Sequence, residues 1–168
     1  MRKVIFLDID GVLNTEQQHR RFYTEQTNPI DEYGLLFDPD AVASLSKIIE
    51  ETGADIVISS SWKFWGLSRM RQMWEDRKLP GKIIGITPDT VSDEMLLTAN
   101  LDEMENFALR GSEIKEWLSM HGKKVSQYAI IDDVDSFLPE QRPYYVEVSP
   151  ITGITEEDAE RVIKILTP

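Results

Sequence analysis

Two aspartates separated by a single residue follow the first apolar run of the chain, in the stretch FLDIDG. Asp8 and Asp10 are two positions apart, so the period of a β-strand directs their side chains to the same side. Gly11 permits a sharp turn and leaves backbone N–H groups accessible to an oxyanion. Because two neighbouring carboxylates repel each other unless a cation lies between them, the pair predicts a cation site. In such a site one aspartate can act as a nucleophile while the other transfers protons.

A second acidic pair, Asp132 and Asp133, follows the apolar run YAII further along the chain. Each pair alone is also compatible with an ordinary strand-to-turn junction, since aspartate and glycine are common turn residues. Two such pairs after two apolar runs favour a shared site, because metal and nucleophile roles require side chains to converge. Mg²⁺ is the expected cofactor, since it takes one or two carboxylates, retains waters and bridges to a substrate phosphate. The predicted metal ligands are Asp8, Asp10, Asp132 and Asp133.

Apolar runs rich in β-branched residues predict the strands that must carry these side chains. They cover residues 4–9, 55–59, 82–86, 128–131 and 144–148. The apolar residues between these runs recur at helical spacing, so the pattern is that of an α/β fold. We expect a three-layer, doubly wound parallel sheet, in which ligands bind at the carboxyl ends of the strands.

Local signals predict where several helices begin. Asp38 and Pro39 indicate a helix with an N-cap aspartate and a proline in its first turn. Ser112 is the expected N-cap of a later helix, and Thr155 with an acid three residues on indicates a capping box. Residues 87–109 give mixed signals, which we interpret as a loop with some helix.

The polar segment 14–37 separates the first predicted strand from the first helix of the core. We interpret it as a short insertion within a single domain that covers residues 1–168. As a small cap or substrate loop, it would bring Arg20, Arg21 and Tyr23 close to the first acidic pair. Its polarity is equally compatible with a solvated loop.

Aromatic residues follow the serines at the end of the second predicted strand, in the stretch SSSWKFW. Trp62 and Trp65 could form a stacking platform for a nucleobase, with the cation Lys63 between them. The alternative, which we expect for at least one of the two, is packing in the core beneath a loop of the site. The sequence leaves the role of both residues open.

Composition restricts the partners of the protein. The 168 residues include 18 Lys and Arg against 30 Asp and Glu, a net charge of −12, and no cysteine. Disulfides, thiolate metal sites and cysteine nucleophiles are therefore excluded. The charge argues against binding of long nucleic acid, which needs a positive surface. The apolar run before Asp8 is too short for a signal peptide or a membrane span, so we expect a cytoplasmic protein without a membrane partner.

These motifs resemble those of the haloacid dehalogenase (HAD) superfamily of phosphatases. FLDIDGVLN resembles its first motif, ISS its second, and IIDD its fourth. Arg110, just before the stretch GSEIKEWL, matches the basic residue of the third motif. The finer pattern of SSSW followed by a basic residue, RG-x-EI-x-x-WL and a late GIT is similar to small HAD-type domains of Swiss Army Knife RNA-repair proteins.

The resemblance implies a phosphoryl-transfer mechanism. Asp8 would attack phosphorus and form an aspartyl-phosphate, and Asp10 would protonate the leaving oxygen and then activate water. Ser59 would bind a phosphoryl oxygen, with Ser60 as the alternate. Arg110 would balance the charge of the phosphoryl group.

Two points remain open at this stage. Lys115 could replace Arg110 as the basic residue, because it lies nearer to Asp132 in sequence. Asp132 would hold Mg²⁺, with Asp133 either a second ligand or an orienting group.

The leading hypothesis is a magnesium-dependent phosphomonoester hydrolase. Its substrate would be a small phosphorylated metabolite, a nucleotide or a nucleic-acid end. The alternatives are a non-enzymatic phosphoacceptor, similar to a receiver domain, and a HAD-like module that only binds a ligand. In receiver domains the acid pair lies at the first strand and the acceptor aspartate at a middle strand, whereas here Asp-x-Asp comes first.

Overall fold

The computed structural model describes residues 1–90 and 109–168. Strands and helices alternate along most of these two segments. In chain order the elements are β1 (Arg2–Leu7), α1 (Glu16–Glu25), β2 (Ile30–Asp31), β3 (Gly34–Leu35), α2 (Pro39–Thr52), β4 (Asp55–Ile58), α3 (Leu67–Asp76), β5 (Ile83–Ile86), α4 (Leu109–His121), β6 (Val125–Asp132), β7 (Tyr145–Glu147) and α5 (Glu156–Leu166).

The central sheet has five parallel strands in the order β5-β4-β1-β6-β7. Alternate residues of β1 face opposite layers, as the period of a strand requires. Ile5 and Leu7 belong to the larger core formed with α2, α3 and α5. Val4 and Phe6 belong to a second core that includes Trp117 of α4. The structure therefore confirms the predicted three-layer α/β fold.

The first strand has the two neighbours that a site at its carboxyl end requires. In the register of the sheet, Leu7 lies beside Ile58 of β4 on one side and Ile131 of β6 on the other. The residues that follow these three positions therefore emerge at the same edge. This edge is where the sequence predicts the site.

Several predicted helix boundaries are confirmed. Asp38 is the N-cap of α2, and its side chain accepts a hydrogen bond from the backbone N–H of Asp40. Thr155 and Asp158 form the predicted capping box of α5. By accepting hydrogen bonds, these side chains satisfy N–H groups that have no partner within the helix.

The prediction for Ser112 is wrong, because this residue lies inside α4 rather than at its N-cap. The chain before it is fixed by tertiary contacts. The N–H of Gly111 donates to the carbonyl of Ser136, and a Cβ atom at Gly111 would lie 2.6 Å from the side-chain oxygen of Gln141. This close approach holds the first turn of α4 in place, and local capping signals do not report it.

The insertion 14–37 is more regular than its composition suggests. It contains α1 and a short antiparallel hairpin formed by β2 and β3. Thr15 caps α1 by accepting a hydrogen bond from the N–H of Gln18, and Gln18 is the one buried residue of that helix. A helix with so little apolar surface gives almost no periodic signal in the sequence. The prediction for residues 87–109 falls mainly on residues outside the described part of the chain.

Among the described residues, no helix combines the length and apolar character needed to cross a membrane.

Candidate active site

Three adjoining strands deliver polar side chains to the carboxyl edge of the sheet. Asp8 follows β1, Ser59 follows β4, and Asp132 is the last residue of β6. The N–H of Asp8 donates to the carbonyl of Ile131 at 3.0 Å, and the N–H of Ser59 donates to that of Leu7 at 2.9 Å. The sheet ladder thus continues into the site and fixes the backbone from which these side chains project.

Three carboxylates converge at this edge. Asp8, Asp132 and Asp133 each offer an oxygen, and these oxygens lie within 4.8 Å of one another. Asp8 and Asp132 are buried, whereas Asp133 is half-buried. Hard oxygen donors in this number suit a divalent cation such as Mg²⁺, with waters or substrate completing the coordination. The residues present therefore fit the expected metal.

Electrostatics favour a cation at the same place. Burial raises the pKa of Asp8, an effect that the neighbouring Arg110 partly offsets. Burial, followed by repulsion from Asp8, raises the pKa of Asp132 to about 8. The pKa of a buried carboxyl group rises in this way when too little positive charge lies nearby to balance the carboxylate. A bound divalent cation would supply that charge.

Arg110 is the basic residue of the site. It lies in the first turn of α4, and its Nη1 atom is 3.0 Å from Oδ1 of Asp8 and 3.1 Å from Oδ2 of Asp132. The same atom donates to the backbone carbonyl of Ser59. Lys115 is 69% exposed, and its Nζ lies 3.6 Å from Glu140, away from the carboxylates. Of the two candidates, the structure brings Arg110 to the site.

The two candidate serines have different surroundings. Both are buried, but the Ser59 hydroxyl has no hydrogen-bond partner among the described residues. The Ser60 hydroxyl accepts from the backbone N–H of Trp62 and caps the 3₁₀ helix Ser61–Trp65. A buried hydroxyl without a partner is costly, so Ser59 is the one with bonding capacity to offer a ligand.

Gly11 has a structural role that differs from the one expected. Its φ of +76° lies in the left-handed region, and a Cβ atom there would overlap the carboxylate of Asp133. The N–H of Gly11 itself donates to the carbonyl of Asn14 at 3.0 Å, so it is not among the N–H groups that the turn leaves accessible to an oxyanion. Gly11 thus allows Asp133 to approach the first strand end.

Asp10 lies outside the cluster of carboxylates that could share a metal. Its side chain is exposed, and its Oδ1 accepts hydrogen bonds from Nδ2 of Asn14 at 2.6 Å and from Nε1 of Trp62 at 2.9 Å. The structure therefore brings together three of the four predicted ligands and holds the Asp10 carboxylate separately. Sequence reasoning missed Asn14. A tight turn after Asp10 can bring an amide four residues further along the chain into hydrogen-bonding distance of the Asp10 carboxylate.

The insertion 14–37 is fixed to the core at both ends. Asp38 accepts hydrogen bonds from Oγ1 of Thr15 at 2.6 Å and from Nε2 of Gln17 at 2.8 Å. At the hairpin, Asp31 pairs at 2.6 Å with Arg77, the residue that follows α3. These contacts favour a docked segment over a freely solvated loop.

Of the three insertion residues that the sequence brings close to the first acidic pair, Arg21 forms its ion pairs elsewhere. Arg21 pairs with Asp38 at 3.3 Å and with Asp40 at 3.0 Å. Arg20 and Tyr23 are exposed. Arg21 is therefore an anchor of the insertion.

Comparison with known proteins gives a family match and a likeness to solved structures. Residues 4–159 match the family described as "HAD domain in Swiss Army Knife RNA repair proteins". No curated protein matches the chain. A solved structure described as a HAD superfamily (subfamily III A) hydrolase from Legionella pneumophila is 14% identical, with a TM-score of 0.40. That likeness covers 99% of this chain and 84% of the other.

Proposed function

The chain belongs to the family of HAD domains in Swiss Army Knife RNA repair proteins, and from this premise we propose that it is a magnesium-dependent phosphomonoester hydrolase. The observation that carries the proposal is the convergence of Asp8, Asp132 and Arg110 at the end of β1. A nucleophile, a metal ligand and a cation at one strand edge are what phosphoryl transfer requires.

Asp8 is the proposed nucleophile. Its carboxylate oxygen attacks phosphorus in line, the bond from phosphorus to the alcohol oxygen breaks, and Asp10 gives its proton to that departing oxygen. A water molecule then attacks the phosphorus of the aspartyl-phosphate, the bond from phosphorus to the Asp8 oxygen breaks, and Asp10 takes a proton from the water. Inorganic phosphate leaves and both aspartates return to their starting forms.

Arg110 and Ser59 are the proposed phosphate-binding groups. Arg110 now pairs with two carboxylates, and a bound phosphoryl group would offer its guanidinium further oxygen acceptors. Ser59 has a buried hydroxyl able to donate to a phosphoryl oxygen. Asp8, Asp132 and Asp133 would hold Mg²⁺, which supplies the positive charge that offsets these carboxylates and the substrate phosphate.

The substrate class follows from charge and family together. A net charge of −12 disfavours a long polyanion, whereas a single phosphate end can be neutralised locally. The family description refers to RNA repair, which supports a phosphorylated nucleic-acid end or a nucleotide as substrate. A small phosphorylated metabolite fits the same site chemistry.

Hydrolysis of an aryl phosphate with and without Mg²⁺ tests the proposal. We expect activity that requires Mg²⁺, disappears with EDTA and is lost in Asp8→Asn. Asp55→Asn is the matched control, because Asp55 lies at the opposite end of β4 and pairs with Arg2. Activity that persists in Asp8→Asn or in EDTA would contradict the mechanism. A long-lived phosphorylated Asp8 without turnover would indicate the non-enzymatic phosphoacceptor instead.

A further inference from the structure

We propose that Trp62 and Asn14 are positioning residues that hold Asp10 so that its Oδ2 atom carries the proton used in the reaction. This inference rests on the proposed function and assigns a role to two residues outside the carboxylate cluster. Both bind the same oxygen of Asp10, Nδ2 of Asn14 at 2.6 Å and Nε1 of Trp62 at 2.9 Å.

Hydrogen-bond chemistry determines which oxygen is free. The indole N–H of Trp62 can only donate, so Oδ1 of Asp10 must accept from it. The N–H of Gly11 donates to the backbone carbonyl of Asn14 at 3.0 Å and also lies 3.3 Å from the side-chain oxygen Oδ1 of Asn14, a contact that orients this amide. The NH₂ group of Asn14 therefore faces Asp10 and donates to Oδ1, the oxygen that also accepts from Trp62.

An oxygen that accepts from two donors cannot also carry a proton directed at them. When Asp10 is protonated, the proton therefore lies on Oδ2. Among the described residues, none donates to or accepts from Oδ2, and the side chain of Asp10 is exposed. Oδ2 is thus the atom that can meet the leaving oxygen of a substrate.

Packing fixes the indole in its place. The ring of Trp62 lies 5.6 Å from that of Phe37, and a Cβ atom at Gly34 would lie 3.6 Å from the edge of the indole. The Arg77 guanidinium lies 4.7 Å from the centre of the Phe37 ring. Ser60 caps the 3₁₀ helix that carries Trp62. These contacts favour the orientation in which the indole N–H meets Asp10.

The insertion thereby acquires a role in the reaction. Asn14, the first residue of the insertion, donates a hydrogen bond to Asp10. Phe37, its last residue, packs against Trp62, which supplies the other donor. The insertion acts through Asp10 rather than by touching substrate. A positioned general acid matters when the leaving group is a poor one, because an alkoxide must be protonated as it departs.

A loss of activity that depends on the leaving group distinguishes a positioning role of Trp62 from a general effect on folding. Trp62→Phe keeps an aromatic ring against Phe37 but removes the N–H that binds Asp10. We expect it to lower kcat/KM for propyl phosphate by about tenfold or more, as loss of a charge-assisted hydrogen bond does. For 2,4-dinitrophenyl phosphate, whose phenolate leaves without a proton, we expect a change of less than about threefold. We use kcat/KM because it reports the steps up to departure of the leaving group.

Two further variants complete the experiment. Asn14→Ala should show the same selective loss on propyl phosphate, since it removes the other donor. Trp65→Phe is the matched control, because Trp65 packs against Phe64 and Arg69 and makes no bond to Asp10; it should leave both substrates unchanged.

The possible results are distinguishable. Equal losses on both substrates, or no loss in Trp62→Phe, would overturn the positioning role while leaving the phosphatase intact. A wild-type protein inactive on both substrates with Mg²⁺ present would overturn the proposed function itself, and the positioning role with it.

Discussion

The Nη1 atom of Arg110 lies 3.0 Å from Oδ1 of Asp8, the proposed nucleophile. The same nitrogen lies 3.1 Å from Asp132, so one guanidinium faces two buried carboxylates. Two negative charges against one positive charge leave the group unbalanced in a place that water hardly reaches. A proton on one carboxylate or a bound cation can restore the balance, and this competition governs how the site responds to pH and metal.

Asp132→Asn should stabilise the metal-free protein at alkaline pH. The pKa of Asp132 is raised from 3.8 to about 8, mainly by burial. The folded protein therefore binds more protons than the unfolded chain between these values, and this group makes stability fall as pH rises through that range. Asparagine removes the charge. We expect a gain in unfolding free energy on the order of 2 kcal/mol near pH 9 in EDTA, measured by urea denaturation.

The control for this measurement is Asp135→Asn, because Asp135 pairs with Arg142 at 2.9 Å on the loop after β6. It should leave the pH dependence of stability unchanged. With saturating Mg²⁺ the order should reverse, since Asp132→Asn loses a ligand and with it the stabilisation by bound metal. Identical pH profiles for wild type and Asp132→Asn in EDTA would contradict the assignment.

Arg110→Ala should impair both activity and stability. It removes the cation that faces the phosphoryl group, and we expect kcat/KM to fall by about 10²–10³. It also removes the cation that faces the buried carboxyl groups of Asp8 and Asp132, which should cost roughly 2 kcal/mol at neutral pH in EDTA. Lys115→Ala is the control, and it should change stability by less than about 0.5 kcal/mol because Lys115 is largely exposed. Comparable losses of activity and stability in Arg110→Ala and Lys115→Ala would contradict the assignment of Arg110 as the basic residue of the site.

Ser59→Ala and Ser60→Ala should have opposite effects on stability. The Ser59 hydroxyl is buried without a partner among the described residues, so its removal should leave the unfolding free energy unchanged or slightly higher. The Ser60 hydroxyl caps a 3₁₀ helix, and its removal should cost about 1 kcal/mol. Phosphate binding should weaken in Ser59→Ala. Thermal denaturation with and without inorganic phosphate measures both effects, and a large stability loss in Ser59→Ala would contradict the assignment.

How far the sequence predicts the site depends on the range of the contacts involved. Asp8 and Asp132 are predictable because each ends an apolar strand, and parallel strands share a carboxyl edge. The resemblance matches Arg110 to the basic residue but leaves Lys115 open, and the contacts of Arg110 with Asp8 and Asp132 decide between the two. The separation of Asp10 from the metal cluster is not predictable, since it depends on an indole that arrives from the end of another strand.

The insertion shows the same limit in its secondary structure. Its helix buries a single residue, Gln18, so hydrophobic periodicity cannot reveal it. Its hairpin contacts the rest of the fold through the ion pair between Asp31 and Arg77, the residue that follows α3. Polar contacts across the fold produce no local pattern, whereas the buried strands produce a strong one.

Asp38 is one of the groups that fix the start of α1 to the core, and Asp38→Asn should loosen that attachment. Burial alone would raise the pKa of Asp38, but hydrogen bonds from Thr15 and Gln17, together with the charge of Arg21, outweigh burial and lower it. A depressed acid contributes stability above its unfolded pKa and loses that contribution as pH falls through its folded pKa. We therefore expect Asp38→Asn to cost about 2 kcal/mol at neutral pH, and the difference from wild type to disappear in strong acid.

The loss should also be visible locally. Amide hydrogen exchange in α1 should accelerate in Asp38→Asn, because the acceptor of the Thr15 hydroxyl has been weakened at the start of that helix. Asp40→Asn is the matched control, since Asp40 is exposed and pairs with the same Arg21. Because Asn14 adjoins Thr15, hydrolysis of propyl phosphate should slow in Asp38→Asn more than hydrolysis of 2,4-dinitrophenyl phosphate. Unchanged exchange in α1 would show that this helix is held by contacts other than Asp38.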